Sequence, residues 1–489
     1  MLAGAGSAAT PQAGKAAPPL PLAPAWKYAA GAMPTRPATC PPLTTGTTGP
    51  STRAKKKAHK ASDTNSLTGI PLWPAPPVGK NPMGYAANDH TAKTAPPTVP
   101  ANFGTDGNNW KLTSLRYPSD TSVTSNPQEL CGVEGNSVDS AWQTTTGRPT
   151  TVIAVLDSGI EWCDAGIVDK LYLNRNALPP PENSAGETKA QLMAGGQKFL
   201  DSDPYDLNDS GILNVSQYAN DPRVAAVAAD YTGGLFCATA ANQDGSYTGI
   251  SPEDLIRTFG DKTLPSGAKN PYAITTESPT GFEGAISGWN FVDNNDNAYD
   301  DVHYGHGTGE ALDMAGSADS LNDEVGACPD CMIMPVRVGT SFITTGNPFA
   351  DGVLFAVDSG ATVISEALGT TDETPTDTQA IEYAAANQVP IVGSAADEES
   401  EHANLPAAAS ADIIDVNSST QETSWTPESA LYLNGCTNYG ASIDLTVESA
   451  SCSSEATGKT SGTVGLIESE AATAMADGKL KPSGYTSAT

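Results

Sequence analysis

Short apolar runs alternate with helix-like segments over the second half of the chain, and this alternation constrains the fold more than any other feature. The runs are rich in β-branched residues and too short for buried helices, which is typical of strands covered on both faces. Strands that alternate with helices at short spacing pack as a parallel sheet between helical layers, so the predicted class is α/β. The predicted strands are 151–156, 332–338, 361–364, 389–392 and 413–416, and the predicted helices are 137–142, 350–358, 376–386 and 458–476.

The first hundred residues differ in composition from the rest of the chain. They hold 18 of the 38 prolines and show no helical or strand periodicity. Such a segment cannot bury enough apolar surface to offset its ordering entropy. We therefore predict a disordered tail over 1–100 and one folded domain over 101–489, with a loop-rich insertion at about 165–285. The lysine-rich run 55–60 fits a solvated linker better than a nucleic-acid patch.

Charge is divided unevenly between these two parts. The tail carries ten Lys or Arg against two Asp or Glu, and the remainder carries 15 against 54, so charges of +8 and −39 add to the net charge of −31. An acidic surface of this size argues against binding to nucleic acid and favours an exported, highly soluble protein or one adapted to cations. No run of eighteen apolar residues occurs, so we expect no transmembrane helix. We also expect the export signal to be missing from this copy or absent, because residues 1–30 lack an apolar signal core.

The eight cysteines form an even set that is spread too widely for zinc sites with paired spacings. We therefore predict disulfide bonds and an extracellular location, since disulfides persist in oxidising compartments. Cys328 and Cys331 fit a local bridge better than a redox motif, because no thioredoxin-like βαβ pattern opens there.

Three short motifs supply the residue types that nucleophilic catalysis requires. Asp157 follows the first predicted strand, His306 lies between two glycines at the start of an apolar helix, and Ser454 precedes the last helix. A serine hydroxyl becomes a strong nucleophile when a base accepts its proton, and the base needs an acid to orient it. Each motif alone has a plainer explanation as a strand end, a structural histidine or a helix cap. The order Asp, His, Ser favours the catalytic interpretation.

Together these stretches resemble the subtilisin-like serine peptidases (subtilases), over about 137–476. Residues 151–160 resemble the aspartate strand of that family, 305–308 its histidine motif and 453–456 its nucleophile motif. The resemblance implies a three-layer α/β sandwich with a central, mostly parallel sheet. It also implies a secreted, monomeric serine endopeptidase that hydrolyses proteins or peptides through an acyl-enzyme and needs no cofactor for the chemistry. The implied catalytic triad is Asp157, His306 and Ser454.

The resemblance extends to the substrate-binding edge. Residues 360–369 are similar to the family's substrate-edge strand, which implies that Ala367, Leu368 and Gly369 flank the specificity pocket. The glycine would let an extended peptide pair with the strand. Plain core packing is an equally good explanation of Leu368.

Asp397 stands where the family supplies an asparagine amide to the oxyanion hole. An ionised Asp397 would repel the developing oxyanion, whereas a protonated one would donate a hydrogen bond. Two hypotheses follow: either burial and the acidic neighbours Glu398 and Glu399 raise the pKa of Asp397, or backbone donors suffice. Three further departures from the family pattern concern packing and turn geometry, at Gly309, Cys452 and Gly458.

Asp157 and His306 are 149 positions apart, and the segment between them contains two candidate calcium sites. The first is an EF-hand-like loop in which Gln217 replaces the usual bidentate glutamate, so we expect weak calcium binding or none. Its candidate ligands are Asp206, Asn208, Ser210 and Asn214. A poorer copy follows at 242–254. The second site is the acidic run just before His306, for which a solvated turn is the alternative, and its candidate ligands are Asp293, Asp296 and Asp300.

Two other interpretations stay open. The chain could be a catalytically inactive subtilase fold that serves as an acidic, calcium-stabilised binding or surface module. It could also be a truncated copy that does not fold independently, because it ends 35 residues after Ser454 (489 − 454).

Overall fold

The computed structural model describes residues 138–141, 144–239, 247–274, 282, 284–317, 325–370, 373–421, 431–433, 436–449 and 452–480. The predicted tail over 1–100 lies outside these residues, so the division into tail and domain stays a prediction.

A mostly parallel sheet forms the centre of the molecule, as predicted. The strands are β1 (Val152–Asp157), β2 (Trp289–Asn290), β3 (Met332–Arg337), β4 (Ile343–Thr344), β5 (Val363–Glu366), β6 (Gly369–Thr370), β7 (Ile391–Ser394), β8 (Ile413–Gln421), β9 (Leu431–Leu433) and β10 (Leu445–Glu448). The central sheet has the order β10-β8-β7-β5-β1-β3-β2, and β9 pairs with β8 in the antiparallel sense. Strands β4 and β6 form a separate parallel pair.

Helices cover both faces of this sheet, which confirms the three-layer α/β class. They are α1 (Val138–Ala141), α2 (Lys189–Ala194), α3 (Pro222–Ala228), α4 (Pro252–Leu255), α5 (His306–Ala315), α6 (Gly346–Asp358), α7 (Pro375–Ala386) and α8 (Ser453–Ala476). Along β1, Ile153 approaches Gly465 of α8, and Leu156 approaches Gly352 of α6. Residues three apart on a strand face opposite sides, so α8 and α6 lie on different faces.

The predicted strands are confirmed, with ends that shift by a few residues. Strand β8 continues beyond the predicted end at 416, because its polar residues are buried with partners: Asn417 Nδ2 donates to Asn438 O (3.0 Å), and the Ser418 hydroxyl pairs with that of Ser449 (2.7 Å). The last helix begins at 453 instead of 458, since Asp397 accepts the hydrogen bond of the Ser453 N–H (2.8 Å).

The insertion consists of short helices and irregular segments, and three disulfides lie within the described residues. Cys163–Cys237 ties the insertion to the chain just after β1, Cys328–Cys331 forms the predicted local bridge, and Cys436–Cys452 joins a loop to the residue before α8. In the part of the chain that the structure describes, no helix is both long and apolar enough to cross a bilayer.

Helices α5 and α8 cross at small residues, and this crossing fixes the position of α8. A Cβ atom at Gly462 would lie 2.6 Å from Met314 O and 2.8 Å from Ala327 Cβ. By contrast, a Cβ atom at Gly309 of α5 would meet nothing within 4 Å. The two glycines therefore have opposite roles in stability.

We expect Gly462→Ala to lower the free energy of unfolding by about 1–3 kcal/mol, because the added methyl group forces the helices apart. The same substitution at Gly309 should raise it by about 0.5–1 kcal/mol, since alanine favours an uncrowded helix. Urea unfolding of both variants measures the difference. Equal effects at the two positions would show that the crossing is loosely packed.

Candidate active site

The three side chains predicted to be catalytic meet beyond the carboxyl end of β1. Asp157 ends β1, His306 begins α5, and Ser454 is the second residue of α8. His306 Nδ1 lies 2.9 Å from each carboxylate oxygen of Asp157, and His306 Nε2 lies 3.1 Å from Ser454 Oγ. Sites in parallel α/β sheets form outside the carboxyl ends of the strands, which explains how residues so distant in sequence converge.

Glycine allows α5 to approach β1 closely enough for this contact. A Cβ atom at Gly307 would lie 2.4 Å from the Gly159 carbonyl oxygen and 3.0 Å from Asp157 Cβ, so any side chain would displace the helix. Gly305 precedes the helix with a φ of 78°, a left-handed conformation that favours glycine. Backbone geometry therefore explains the two glycines that flank His306.

Asp300, a predicted metal ligand, has its oxygens engaged by the loop before His306. Its Oδ2 accepts hydrogen bonds from Gly305 N–H (2.8 Å) and Ser158 Oγ–H (3.2 Å), and the carboxylate is fully buried. It thus connects the end of the aspartate strand with the start of the histidine helix, and positions both.

The charge state of His306 follows from its surroundings. Burial lowers its pKa, but the carboxylate of Asp157 and its hydrogen bond raise it, with further contributions from Glu310 and Asp397, to about 9. Imidazole accepts a proton only in its neutral form, so the fraction of His306 that can act as a base grows as the pH rises towards this value.

Asp397 lies beside the predicted nucleophile as a hydrogen-bond acceptor. Its Oδ1 accepts from Ser453 N–H (2.8 Å) and Ser453 Oγ–H (2.5 Å) at the first residue of α8. A carboxylate there satisfies a backbone donor without a helical partner and complements the helix dipole. The structure therefore brings Asp397 to within one residue of Ser454, with Oδ1 already engaged.

The predicted substrate-binding residues follow β5 directly. Ala367 O lies 3.3 Å from Ser454 Oγ, which places Ala367 beside the hydroxyl. Leu368 is only 2% exposed, which favours core packing for its side chain. Gly369 begins β6, and its N–H donates to Phe342 O (2.9 Å). The strand edge expected to receive a substrate is therefore already paired at Gly369.

Sequence patterns gave no indication of two aromatic rings beside the imidazole. The ring centroids of Tyr304 and Phe342 lie 6.1 and 6.2 Å from that of His306. The two side chains are 45% and 50% exposed, so they form an open apolar wall next to the site. Only the structure brings Phe342 to this position, because it is distant in sequence from the histidine motif.

Glu310 is a second feature that the sequence analysis missed. It lies one helical turn after His306, is 5% exposed, and its Oε2 has no hydrogen-bond partner among the residues that the structure describes. Burial raises its pKa well above the usual value for a carboxyl group. A Cβ atom at Gly458 would lie 2.8 Å from Glu310 Oε2, so the glycine leaves the space that this side chain occupies. The i, i+4 spacing from His306 is the signal that could have identified it.

The first candidate calcium loop folds around a side-chain amide. Gln217 Nε2 lies within hydrogen-bond distance of four oxygens: Asp206 Oδ1 (3.1 Å), Asn208 Oδ1 (2.9 Å), Ser210 Oγ (3.0 Å) and the Ile212 carbonyl oxygen (2.6 Å). These acceptors occupy loop positions 1, 3, 5 and 7, which bind the ion in an EF-hand. The amide nitrogen therefore lies where a calcium ion would be held, so the loop fits an ion only if this amide rotates away.

Asn214, the fourth predicted ligand of this loop, does not join the others. Its Oδ1 accepts hydrogen bonds from the N–H (3.1 Å) and Oγ–H (2.6 Å) of Ser216, and its Nδ2 donates to Asp169 O (3.0 Å). It caps a short helical turn instead.

Among the residues that the structure describes, one group of three carboxylates is compact enough to hold a metal ion: Asp201, Asp206 and Asp209. The fully buried Lys189 lies among them. Its Nζ is 2.7 Å from Asp201 Oδ1, 2.6 Å from Asp206 O and 3.4 Å from Asp209 Oδ1. An ammonium group therefore supplies positive charge at this cluster.

The second candidate calcium site is not assembled within the described residues. Asp293 is exposed and accepts a hydrogen bond from Asn290 Nδ2 (3.0 Å). Asp296 is partly buried, and burial together with the charge of Asp261 raises its pKa to about 6. Neither joins Asp300 in a group of three close ligands. Part of the poorer loop copy at 242–254 lies outside the described residues.

The comparison with known proteins agrees with this fold. The model of the subtilase family matches residues 148–482, which include β1, α5 and α8. The chain therefore belongs to the subtilase family.

Thermitase of Thermoactinomyces vulgaris is 33% identical over 123 residues, which are 25% of this chain and 43% of thermitase. The chain thus matches less than half the length of this relative. Among solved structures, the prenylagaramide maturation protease PagA aligns with 70% of this chain and 83% of its own (TM-score 0.36, 13% identity). Sphericase aligns with 34% of this chain and 64% of its own (TM-score 0.30, 19% identity).

Replacing Asp157 by asparagine should lower the pKa of His306 from about 9, because the largest of the contributions that raise it is lost while burial remains. Titration of the His306 ring by NMR measures this without any activity assay. Asp301→Asn is the control, since Asp301 pairs with Arg337 instead (2.7 Å). An unchanged His306 pKa in Asp157→Asn would contradict the assigned contact.

Gln217→Glu should create a calcium site, because it replaces the amide at the loop centre with the bidentate carboxylate of an EF-hand. We expect calcium to raise the melting temperature of this variant more than that of the wild type, with matching binding heats in calorimetry. Adding Asn208→Ala should remove most of the gain. If the wild type binds calcium as tightly as the variant, the amide does not occupy the ion's position.

Proposed function

We propose that the chain is a secreted serine endopeptidase that hydrolyses peptide bonds through an acyl-enzyme on Ser454. The observation that carries this proposal is the line of hydrogen bonds from Asp157 to His306 (2.9 Å) and from His306 to Ser454 (3.1 Å). These distances are within the reach that proton transfer requires. Membership of the subtilase family supports the same reaction.

In the first half of the reaction, Ser454 Oγ attacks the carbonyl carbon of the substrate, and its proton passes to His306 Nε2. Asp157 holds the proton on Nδ1 and stabilises the imidazolium that forms. The carbon–nitrogen bond then breaks, and the leaving amine takes the proton from His306. In the second half, water attacks the ester with His306 again as base, which releases the acid and restores Ser454.

Two kinds of donor are available for the oxyanion. The backbone N–H groups in the first turn of α8 lack helical partners and lie at the positive end of the helix dipole. Asp397 can contribute a hydrogen bond only when protonated, and its Oδ1 already accepts from Ser453 (2.8 Å). We therefore assign the main role to the backbone donors.

The remaining proposals concern the setting of the enzyme. The disulfides support an extracellular location, because such bonds persist in oxidising compartments. We propose that the protein acts as a monomer on protein or peptide substrates. Structural calcium is proposed only at the 206–217 loop, where it must compete with the Gln217 amide.

The competing function is a catalytically inactive subtilase fold that serves as a binding module. The observation that favours it is the carboxylate of Asp397 beside the nucleophile, where an ionised group opposes the developing oxyanion.

A fluorophosphonate probe separates the two functions. We expect the probe to label Ser454, and His306→Ala to abolish labelling, because the hydroxyl then lacks its base. Asp301→Asn serves as a folded control with the site intact. Absence of labelling in the wild type, under conditions in which the protein is folded, would leave only the binding module.

Asp397→Asn should increase kcat/KM at neutral pH for two reasons. The asparagine amide adds a hydrogen-bond donor to the oxyanion site, and in subtilisin the loss of one such donor costs about 2.7–4 kcal/mol. The substitution also removes a negative charge that raises the pKa of His306, so the rising limb of the pH–rate profile should move to lower pH. Profiles of both proteins test this. A variant that is no faster at any pH would exclude Asp397 from the oxyanion site.

A further inference from the structure

Glu310 is a buried carboxyl group one helical turn after the imidazole of His306. On an α-helix, the Cβ atoms of residues four apart are separated by about 5–6 Å, and each side chain leans towards the helix N-terminus. The Glu310 side chain therefore extends over the turn of α5 that carries His306. It is 5% exposed, so solvent screens the two groups from each other only weakly.

The same carboxyl group contacts the start of α8. A Cβ atom at Gly458 would lie 2.8 Å from Glu310 Oε2 and 3.2 Å from the Glu310 carbonyl oxygen. Gly458 follows Ser454 by one helical turn. The carboxyl group thus lies where the helix of the proposed base crosses the helix of the proposed nucleophile, in the space that the glycine leaves.

Hydrogen bonding does not explain this position. Within the described part of the chain, Glu310 Oε2 has no hydrogen-bond partner. A buried polar atom without a partner lowers the stability of the fold. Stability therefore gives no reason for a carboxyl group here, whereas its closeness to His306 does.

The charges around Glu310 come from three elements. They are His306 and Asp313 on α5, Asp157 at the end of β1, and Glu455 on α8, which forms an ion pair with the buried Lys459. Burial raises the pKa of Glu310 well above its usual value, the imidazolium of His306 lowers it, and the three carboxylates raise it further. Glu310 therefore keeps its proton to higher pH than an ordinary carboxyl group.

The imidazole of His306 is likewise surrounded by acids. Burial lowers its pKa, whereas Asp157, Glu310 and Asp397 raise it, to about 9. Arg337 of β3 lies opposite Asp157 in the strand register, but it pairs with Asp301 (2.7 Å). Each ionised carboxylate near the imidazole makes His306 release its proton at a higher pH.

Because His306 and Glu310 influence each other, they release their protons as a pair. When the pair holds one proton, two arrangements have the same net charge. In one, His306 is neutral and Glu310 is protonated. In the other, His306 is an imidazolium and Glu310 is a carboxylate. Only the first arrangement can accept the proton of Ser454.

We propose that Glu310 is a positioning residue that acts through His306: its buried carboxyl group competes with the imidazole for one proton and so sets the pH at which His306 becomes a base. The effect on the reaction rate rests on the proposed function. The competition for the proton is a property of the fold and is measurable without catalysis.

Glu310→Gln removes the competing group and keeps its shape. In a Ser454→Ala background, NMR titration of the His306 ring should show two steps in the parent protein. The variant should show one step, with a midpoint at least about one pH unit lower, since a charge about 5–6 Å away at an effective dielectric constant of about 20 is worth about two pH units. Asp313→Asn is the matched control. It removes a carboxylate two turns from His306 and should keep both steps.

An unchanged His306 titration in Glu310→Gln would overturn the inference, because Glu310 would then fill space without influence on the imidazole. Glu310→Met is the second variant, since it removes the carboxyl group without leaving an unpaired polar atom in the core. It should give the same single step. Two steps in Glu310→Met would also contradict the shared proton.

The rate provides the second measurement. With Ser454 present, the rising limb of the kcat/KM profile of Glu310→Gln should move to lower pH by at least about one unit, which is about tenfold in rate on that limb. A purely structural role would lower kcat at every pH and leave the limb in place. If a fluorophosphonate fails to label Ser454, the proposed peptidase activity is refuted, and the NMR titration still decides whether His306 and Glu310 share a proton.

Discussion

The approach of α5 to the end of β1 at Gly307 is the contact on which the whole site depends. It places an imidazole directly on a carboxylate that is 1% exposed, so the buried charge has a partner and the imidazole has a fixed orientation. Asp300 reinforces the contact by connecting the two backbone segments. Because α8 packs against α5 through Gly462, the serine at its start is held in the same frame.

Local patterns were sufficient to predict the sheet, its covering helices and the motif Gly305-His306-Gly307. A buried strand or an amphipathic helix leaves a period in the sequence, and the glycines beside His306 report a close backbone approach. The parts that could not be predicted depend on contacts between distant residues. The extension of β8 requires partners for Asn417 and Ser418, and the pairing of β4 with β6 joins segments about 26 residues apart, at Ile343 and Gly369 (369 − 343).

In the acidic loops of the insertion, too, the outcome depends on contacts that the sequence alone does not predict. Their sequences supply oxygen ligands at the spacing of a calcium loop, but the structure fills the positions with nitrogen donors of the chain itself. The amide nitrogen of Gln217 lies among four acceptors, and Lys189 lies among three aspartates. A pattern of acceptors identifies a place for positive charge or hydrogen-bond donors, and only the fold decides whether an ion or a side chain provides them.

The bond between Cys436 and Cys452 has a consequence for the lifetime of the proposed peptidase. Cys452 is the residue before α8, and the cross-link closes a loop with a sequence separation of 16. A loop of this length stabilises the folded state by about 3 kcal/mol through the entropy of the unfolded chain. Peptidases cut segments that open locally, so in an active peptidase this cross-link would protect the base of the serine-bearing helix from autolysis. Self-digestion would begin at untethered surface loops and leave the nucleophile intact in nicked molecules.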